Sequence, residues 1–505
     1  MATQDSFHAY VSGRLAALSR LAYLLCGDRH AAEDLVQVTL IKVARHWERV
    51  SAGSMSPAWL PTDLWRRGRR QRSRGRIVAV AAVVLLCAAV AVLPGLHVEP
   101  QPAEGGPVVP RSVGLPYFWQ ATVDMAPPGP ASVLFGGDSL GLSSDPFEED
   151  GGKLAVLGHN GDYRILRYPS DGVRAGQGAR LSPDGSLVAH SDLTGGPAGW
   201  LVVTDLRTGR SRGYSGGETA CCAEVVAWRP DSGAVLALQS ARDGYPIDGP
   251  AARYVLVDLA SGAVTPVEDR LLWDDNASAW GAAFAPDGRG FVAARTAAHG
   301  TELRGYDATG RRVWTRDLGG RRLAGSGAYT SDSSTVALLT VDECPFQCDH
   351  DQRDARGWRV SYLDPATGAD REGPALPEVT GAAVRALGWH GDALVVVQYE
   401  SEDYVTAADS ETREIRHVRV LALRPGAVDV VLDPPADVAS IDIAQDLVRN
   451  GQFGGPVPAP AMLPARWSVV AQAALCLLCL LAPVAAAVVV FVRVWAARRR
   501  RAAAG

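Results

Sequence analysis

Hydrophobic positions along the chain fall into three patterns. Near the N-terminus they recur at helical spacing. Leu15, Leu18, Ala22 and Leu25 form one stripe, and Leu35, Thr39, Val43 and Trp47 a second, with Val36 and Leu40 beside it. Such spacing predicts two amphipathic helices. Gly27 ends the first and Asp28 caps the second. The second pattern is a pair of uncharged apolar runs: Ile77 to Leu93, seventeen residues, and Trp467 to Val492, twenty-six residues. A bilayer core of about 30 Å takes roughly 17–25 apolar residues as helix, so both runs are predicted to be transmembrane helices. The third pattern fills the space between them, where short apolar strands alternate with turns.

These strands repeat. Each unit opens with a turn and an apolar strand, then closes with a strand that ends in Asp and a Gly turn. Ser182-Pro183-Asp184-Gly185 leads into Leu187-Val188-Ala189, and Leu201 to Leu206 ends at Thr208-Gly209. Arg229-Pro230-Asp231-Ser232-Gly233 leads into Val235 to Leu238, and Tyr254 to Leu259 ends at Ser261-Gly262. Ala285-Pro286-Asp287-Gly288 leads into Phe291-Val292-Ala293, and Leu303 to Asp307 ends at Thr309-Gly310. Thr330-Ser331-Asp332-Ser333 and His390-Gly391-Asp392 begin two weaker copies. An earlier unit, Ser132 to Tyr168, lacks the turn motif but offers two strands, Leu154–Leu157 and Tyr163–Leu166. Short antiparallel strands joined by such turns, at about 40–50 residues per unit, are how propeller blades are built. The prediction is a roughly six-bladed β-propeller, with seven blades if Val113–Val133 contributes a further blade or closing strand. The repeat resembles TolB-type and WD-type propellers over about 130–435, a resemblance that is uninformative about ligand.

Charge then orients the chain. Arg66, Arg67, Arg69, Arg70, Arg72, Arg74 and Arg76 precede the first apolar run, and Arg493 and Arg498 to Arg501 follow the second. Basic flanks stay cytoplasmic, which places both termini inside and residues 95–465 outside. The first run starts far from Met1 and lacks a clear A-x-A site beyond it, as expected of a retained anchor. Residues 95–465 hold 31 basic and 49 acidic residues, a balance near −18 that excludes nucleic acid as their expected partner.

The N-terminal helices carry a more specific signal. The string from Ala22 through Tyr23-Leu24-Leu25, the Gly27-Asp28 turn, and Ala32-Glu33-Asp34-Leu35-Val36-Gln37 to Trp47 resembles region 2 of extracytoplasmic-function sigma-70 factors over residues 7–50. In that family the second helix docks on RNA polymerase. The resemblance implies a polymerase or regulator contact through Asp34 and Gln37, with Leu35 and Val36 supporting the helix pair. The family's later helices, which melt and read the promoter, are replaced here by Ser51 to Pro61, where Pro57 and Pro61 break a helix. The helix-turn-helix that reads the −35 element is also missing before the apolar run. Direct DNA binding is therefore not expected, and the arginine run is read as a topology signal with a possible anionic-lipid contact.

Candidate chemistry elsewhere is sparse. Gly213-Tyr214-Ser215-Gly216-Gly217 fits G-x-S-x-G, but its loop-like surroundings do not predict the strand-to-helix elbow that catalysis needs. Cys344 and Cys348, followed by Asp349, His350 and Asp351, offer a zinc-like cluster or a disulfide, and outside the cell the disulfide is expected. Cys221 and Cys222 have no predicted pairing. No catalytic residue, metal or cofactor is expected.

The sequence thus predicts a mainly β chain, a propeller between two transmembrane helices with a small N-terminal α-helical segment. The parts are 1–50 helical, 51–76 basic linker, 77–93 membrane span, 95–129 linker, 130–445 propeller, 446–465 linker, 467–492 membrane span and 493–505 basic tail. The expected function is that of a non-enzymatic cell-membrane protein. Its propeller binds an unknown envelope ligand or protein, and its inner segment touches RNA polymerase. The alternatives are a binding or scaffold protein with a relic sigma segment, and a sigma factor for transcription initiation.

Overall fold

Each aspartate turn of the repeat closes the hairpin between the two innermost strands of a small antiparallel sheet. The computed structural model describes residues 106–502, apart from 140, 144–151, 169–172, 192–199, 216–219, 242–251, 268–279, 298–299, 343, 345–347, 404 and 406–413. Five sheets built this way, and a sixth that two distant parts of the chain complete, make six propeller blades among the described residues. From the inside out, blade 2 is Gly178–Leu181, Leu187–Ser191, Leu201–Asp205 and Ser211–Tyr214; blade 3 is Ala220–Trp228, Ala234–Ala241, Ala252–Asp258 and Val264–Pro266. Blade 4 is Ala282–Phe284, Gly290–Ala297, Gly300–Asp307 and Arg312–Asp317; blade 5 is Arg321–Leu323, Val336–Val341, Gly357–Leu363 and Asp370–Arg371. Blade 6 is Ala383–His390, Ala393–Ser401, Ile415–Arg424 and Ala427–Leu432.

Blade 1 explains the unit that lacked the motif. Its innermost strand, Val438–Ile443, comes from the far end of the chain and pairs with Ala131–Gly137, Val133 facing Ile443 and Phe135 facing Ile441. Gly152–Gly158 and Tyr163–Tyr168 complete it. No hairpin joins its two inner strands, so no aspartate turn is needed there. The possible seventh blade does not form: Val133 belongs to blade 1, and Gln120 and Thr122 make only isolated bridges, to Ala465 and Ile165.

The turns hold themselves. Asp184 Oδ1 accepts from Ser186 N and from the hydroxyls of Ser182, Ser186 and Ser232; Asp231 accepts from Gly233 N and Asp332 from Ser334 N. At the outer hairpins Asp205, Asp258, Asp307 and Asp364 accept in the same way from backbone N–H groups two or three residues on. Short carboxylates stabilise turns by such local bonds.

Blade packing accounts for the continuous apolar strands. In blade 3, Val235 and Ala237 pack with blade 2, while Leu236 and Leu238 pack with blade 4. Side chains alternate between the two faces of a strand, and here both faces are buried. Blades 1 and 2 share Leu134, Leu154 and Val188, blades 4 to 6 share Val292, Leu338 and Val396, and blades 6 and 1 share Val397, Val418 and Ile441. The apolar seam therefore runs round the ring and across its closure.

Among the described residues three helices accompany the blades: α1 His350–Asp354, α2 Gln445–Arg449 and α3 Trp467–Ala502. α1 lies in the segment Cys344–Arg356, between the second and third strands of blade 5. The segments expected as linkers are partly structured, since Val109–Pro110 pairs in parallel with Phe453–Gly455. The chain divides into two units, Pro94–Val484, which holds all the blades, and Met1–Leu93 with Ala485–Gly505.

The two expected transmembrane helices are not supported by the described residues, among which no helix is long and apolar enough to cross a membrane. The first, 77–93, lies outside them. For the second, α3 runs 36 residues, and the side chains at 473, 478, 480 and 483–486 also lie outside them. The sequence of Trp467–Val492 is itself uncharged.

Candidate ligand site in the propeller channel

The innermost strands bring charged groups together at the centre of the ring. Arg385, from blade 6, is fully buried. Its Nε donates to Tyr399 Oη at 3.1 Å, Nη1 to Asp442 Oδ1 at 3.2 Å and Nη2 to Ile441 O at 2.7 Å. Asp442, from blade 1, also accepts from Leu181 N of blade 2 at 3.0 Å. Arg180, from blade 2, donates through Nε to Val225 O of blade 3 at 3.1 Å and through Nη1 to Ser326 Oγ at 3.2 Å. One polar network thus spans several blades.

Electrostatics separates the two guanidiniums. Burial, reinforced by the like charge of Arg385, lowers Arg180 to about 10. Burial acts on Arg385 in the same direction, but Tyr399 and Asp442 outweigh it and raise its value. Gly176 makes room for this arrangement. Its φ is +78°, and a Cβ there would sit 2.2 Å from Arg385 Nη2.

A pocket lined by Arg180, Trp228, Ser326, Asp442 and Gln445 continues to a second, on the side of the inner turns. Pro230, Pro286, Tyr329, Trp389 and Arg449 line the outer one. These spaces are narrow, about 10 Å³ for the inner and 20 Å³ for the outer, room for a water or two held by the guanidinium, carboxylate, amide and indole groups that line them.

None of these residues was singled out from the sequence. The available signal was an ionisable residue inside an apolar strand, as in Ala179-Arg180-Leu181, Val384-Arg385-Ala386 and Ile441-Asp442-Ile443. Of the residues that were singled out, Asp34 and Gln37 lie outside the described residues, as do the side chains of Cys221 and Cys222. The structure places a disulfide between Cys344 and Cys348, with buried Arg356 donating to Cys344 O at 2.9 Å. His350 turns from the cysteines toward Ser401 Oγ, 3.2 Å away. Among the described residues no group of three or more His, Cys, Asp or Glu is placed to hold a metal. Gly213-Tyr214 ends the outermost strand of blade 2, where a loop was expected, and Ser215 follows it.

Residues 11–75 match the family model of sigma-70 region 2. The match runs past residue 50, where the sequence resemblance ended, through Trp59 and Trp65 to Gly75. No curated protein matches the chain. Among solved structures, a nidogen/laminin complex is 14% identical, covering 63% of this chain and 99% of that chain at a TM-score of 0.37. The TolB protein of Agrobacterium tumefaciens is 14% identical, covering 62% and 98% at a TM-score of 0.35. The β-propeller domain of the trilobed protease from Pyrococcus furiosus is 12% identical, covering 50% and 69% at a TM-score of 0.28. At these values nothing about ligand or activity transfers. The propeller assignment rests on the blades themselves.

Proposed function

We propose that this is a membrane-anchored, transcription-linked signalling protein. Its propeller, outside the membrane, binds a ligand or protein. Its region-2 segment, inside, contacts RNA polymerase. The observation that carries the reading is the presence, on one chain, of a sigma-70 region 2 match at 11–75 and a closed six-bladed ring, separated by the uncharged run 77–93. The arginines before that run and after Val492 support cytoplasmic ends. The uncharged stretch Trp467–Val492, in a helix of 36 residues, supports the second anchor. Recovery of RNA polymerase with the chain from solubilised membranes tests the proposal.

The reach of the family match to residue 75 favours one second reading, a sigma factor that initiates transcription. Promoter-dependent transcripts made by polymerase with the purified chain would establish it.

A further inference from the structure

The segments by which the chain enters and leaves the ring are clasped together. Tyr163 Oη, in the outermost strand of blade 1, accepts from Gly114 N at 2.7 Å and donates to Pro458 O at 3.0 Å. Ala121 N donates to Pro464 O at 3.0 Å, and Arg466 N to Trp119 O at 2.7 Å. Buried Arg466 also donates a guanidinium N–H to Phe118 O.

This clasp displays aromatic and apolar side chains. Tyr117 and Trp119 stack with ring centroids 4.7 Å apart, and Trp119 Nε1 donates to Met462 O at 3.2 Å. Met462 is 64% exposed, Leu463 46% and Trp467 71%. No charged residue occurs in 112–123 or 450–465, although the outer segment as a whole is strongly acidic. Trp467 then opens α3, whose sequence stays uncharged to Val492.

From this juxtaposition we propose that Tyr117, Trp119, Met462, Leu463 and Trp467 form a lipid-facing foot that seats the rim of blade 1 in the interfacial layer of the bilayer. The proposal rests on the membrane-anchor reading. Tyr and Trp carry an apolar body and a polar edge, and they concentrate at the headgroup level. An uncharged patch avoids the repulsion that acidic turns would meet at an anionic surface. The clasp holds the rings in place beforehand, so little side-chain entropy is lost on contact.

Photocrosslinking from native membranes tests it. Benzoyl-phenylalanine is introduced at position 117 or 463 of the full-length chain, and as a control at 313. Val313 is exposed on the outermost strand of blade 4, opposite blade 1 in the ring. Lipid adducts at 117 and 463, with none at 313, are expected. A chain that stays in the carbonate-washed membrane but forms only protein adducts, or none, at 117 and 463 overturns the foot and leaves the anchor standing. A chain absent from the membrane overturns both.

Discussion

Arg385 and Asp442 form a buried ion pair, 3.2 Å apart, across the seam where the ring closes. Arg385 stands on the innermost strand of blade 6, and Asp442 on the strand that the C-terminal side of the ring lends to blade 1. Removing one partner of such a pair leaves a charge without compensation and costs about 3–5 kcal/mol. Asp442→Ala should destabilise the ring by that order in equilibrium denaturation of the full-length chain. Asp442→Leu combined with Arg385→Met should cost less than Asp442→Ala alone. Equal losses for the single and double variants would show that the pair does not couple the blades.

Gly176 supplies a second test of the same network. A methyl group at this position would meet the Arg385 guanidinium and Ile441 O, and φ is positive. Gly176→Ala should therefore lower the melting temperature, whereas Gly319→Ala, also at positive φ but with nothing within 4 Å of the added carbon, should cost much less. Similar losses at both sites would assign the effect to backbone strain alone.

The turn carboxylates predict how the ring responds to acid. Thr309 Oγ1 and the N–H groups of Arg311 and Thr309 hold Asp307 down at about 2, against an ordinary value of 3.8. Bonds from Ser261 lower Asp258, and bonds from Thr330 and Ser334 lower Asp332. A carboxyl with a depressed folded value contributes stability above pH 3.8 that is lost as the pH falls toward 2. Melting temperature should thus fall steeply below pH 4. Asp307→Asn should flatten that fall without abolishing it. An unchanged profile would mean that the bond to Thr309 is not maintained in solution.

The proposed membrane topology, with both ends inside, rests on the arginine flanks and is open to direct test. Protease added to intact cells stripped of their outer envelope layers should remove 95–465 and spare tags on both termini. Cleavage of the N-terminal segment in sealed cells would reverse the orientation. In the same protected preparation, Cys344 and Cys348 should resist alkylation until reductant is added; free thiols there would contradict the bridge seen in blade 5.

The ring was legible in the sequence because its signals are local. A Pro-Asp-Gly turn such as Pro183-Asp184-Gly185 is shaped mainly by bonds within five residues, from Ser182 to Ser186, with one more from Ser232 of the next blade, so the pattern marks it wherever it lies. Closure was not legible. The pairing of Val133 with Ile443 joins positions more than three hundred apart, and nothing near either residue encodes the other. The clasp between 109–122 and 453–466 escaped for the same reason, and both segments read as linkers. The channel was hidden differently: Arg180, Arg385 and Asp442 each look isolated along the chain and meet only when separate blades converge.

Engagement of RNA polymerase by the region-2 segment is the proposal on which the rest depends. Asp34 and Gln37 stand three apart in the sequence, the spacing that would make them neighbours on a helix. The direct measurement is quantitative recovery of polymerase subunits with the tagged full-length chain, extracted from membranes in detergent. The variant Asp34→Ala/Gln37→Ala is compared with Leu35→Ala, whose segment should also become more protease-sensitive. Polymerase is expected with the unaltered chain, and a loss is expected on the double substitution without increased proteolysis of residues 1–60. Recovery unchanged by the double substitution, or no polymerase with the unaltered chain, would contradict the proposal.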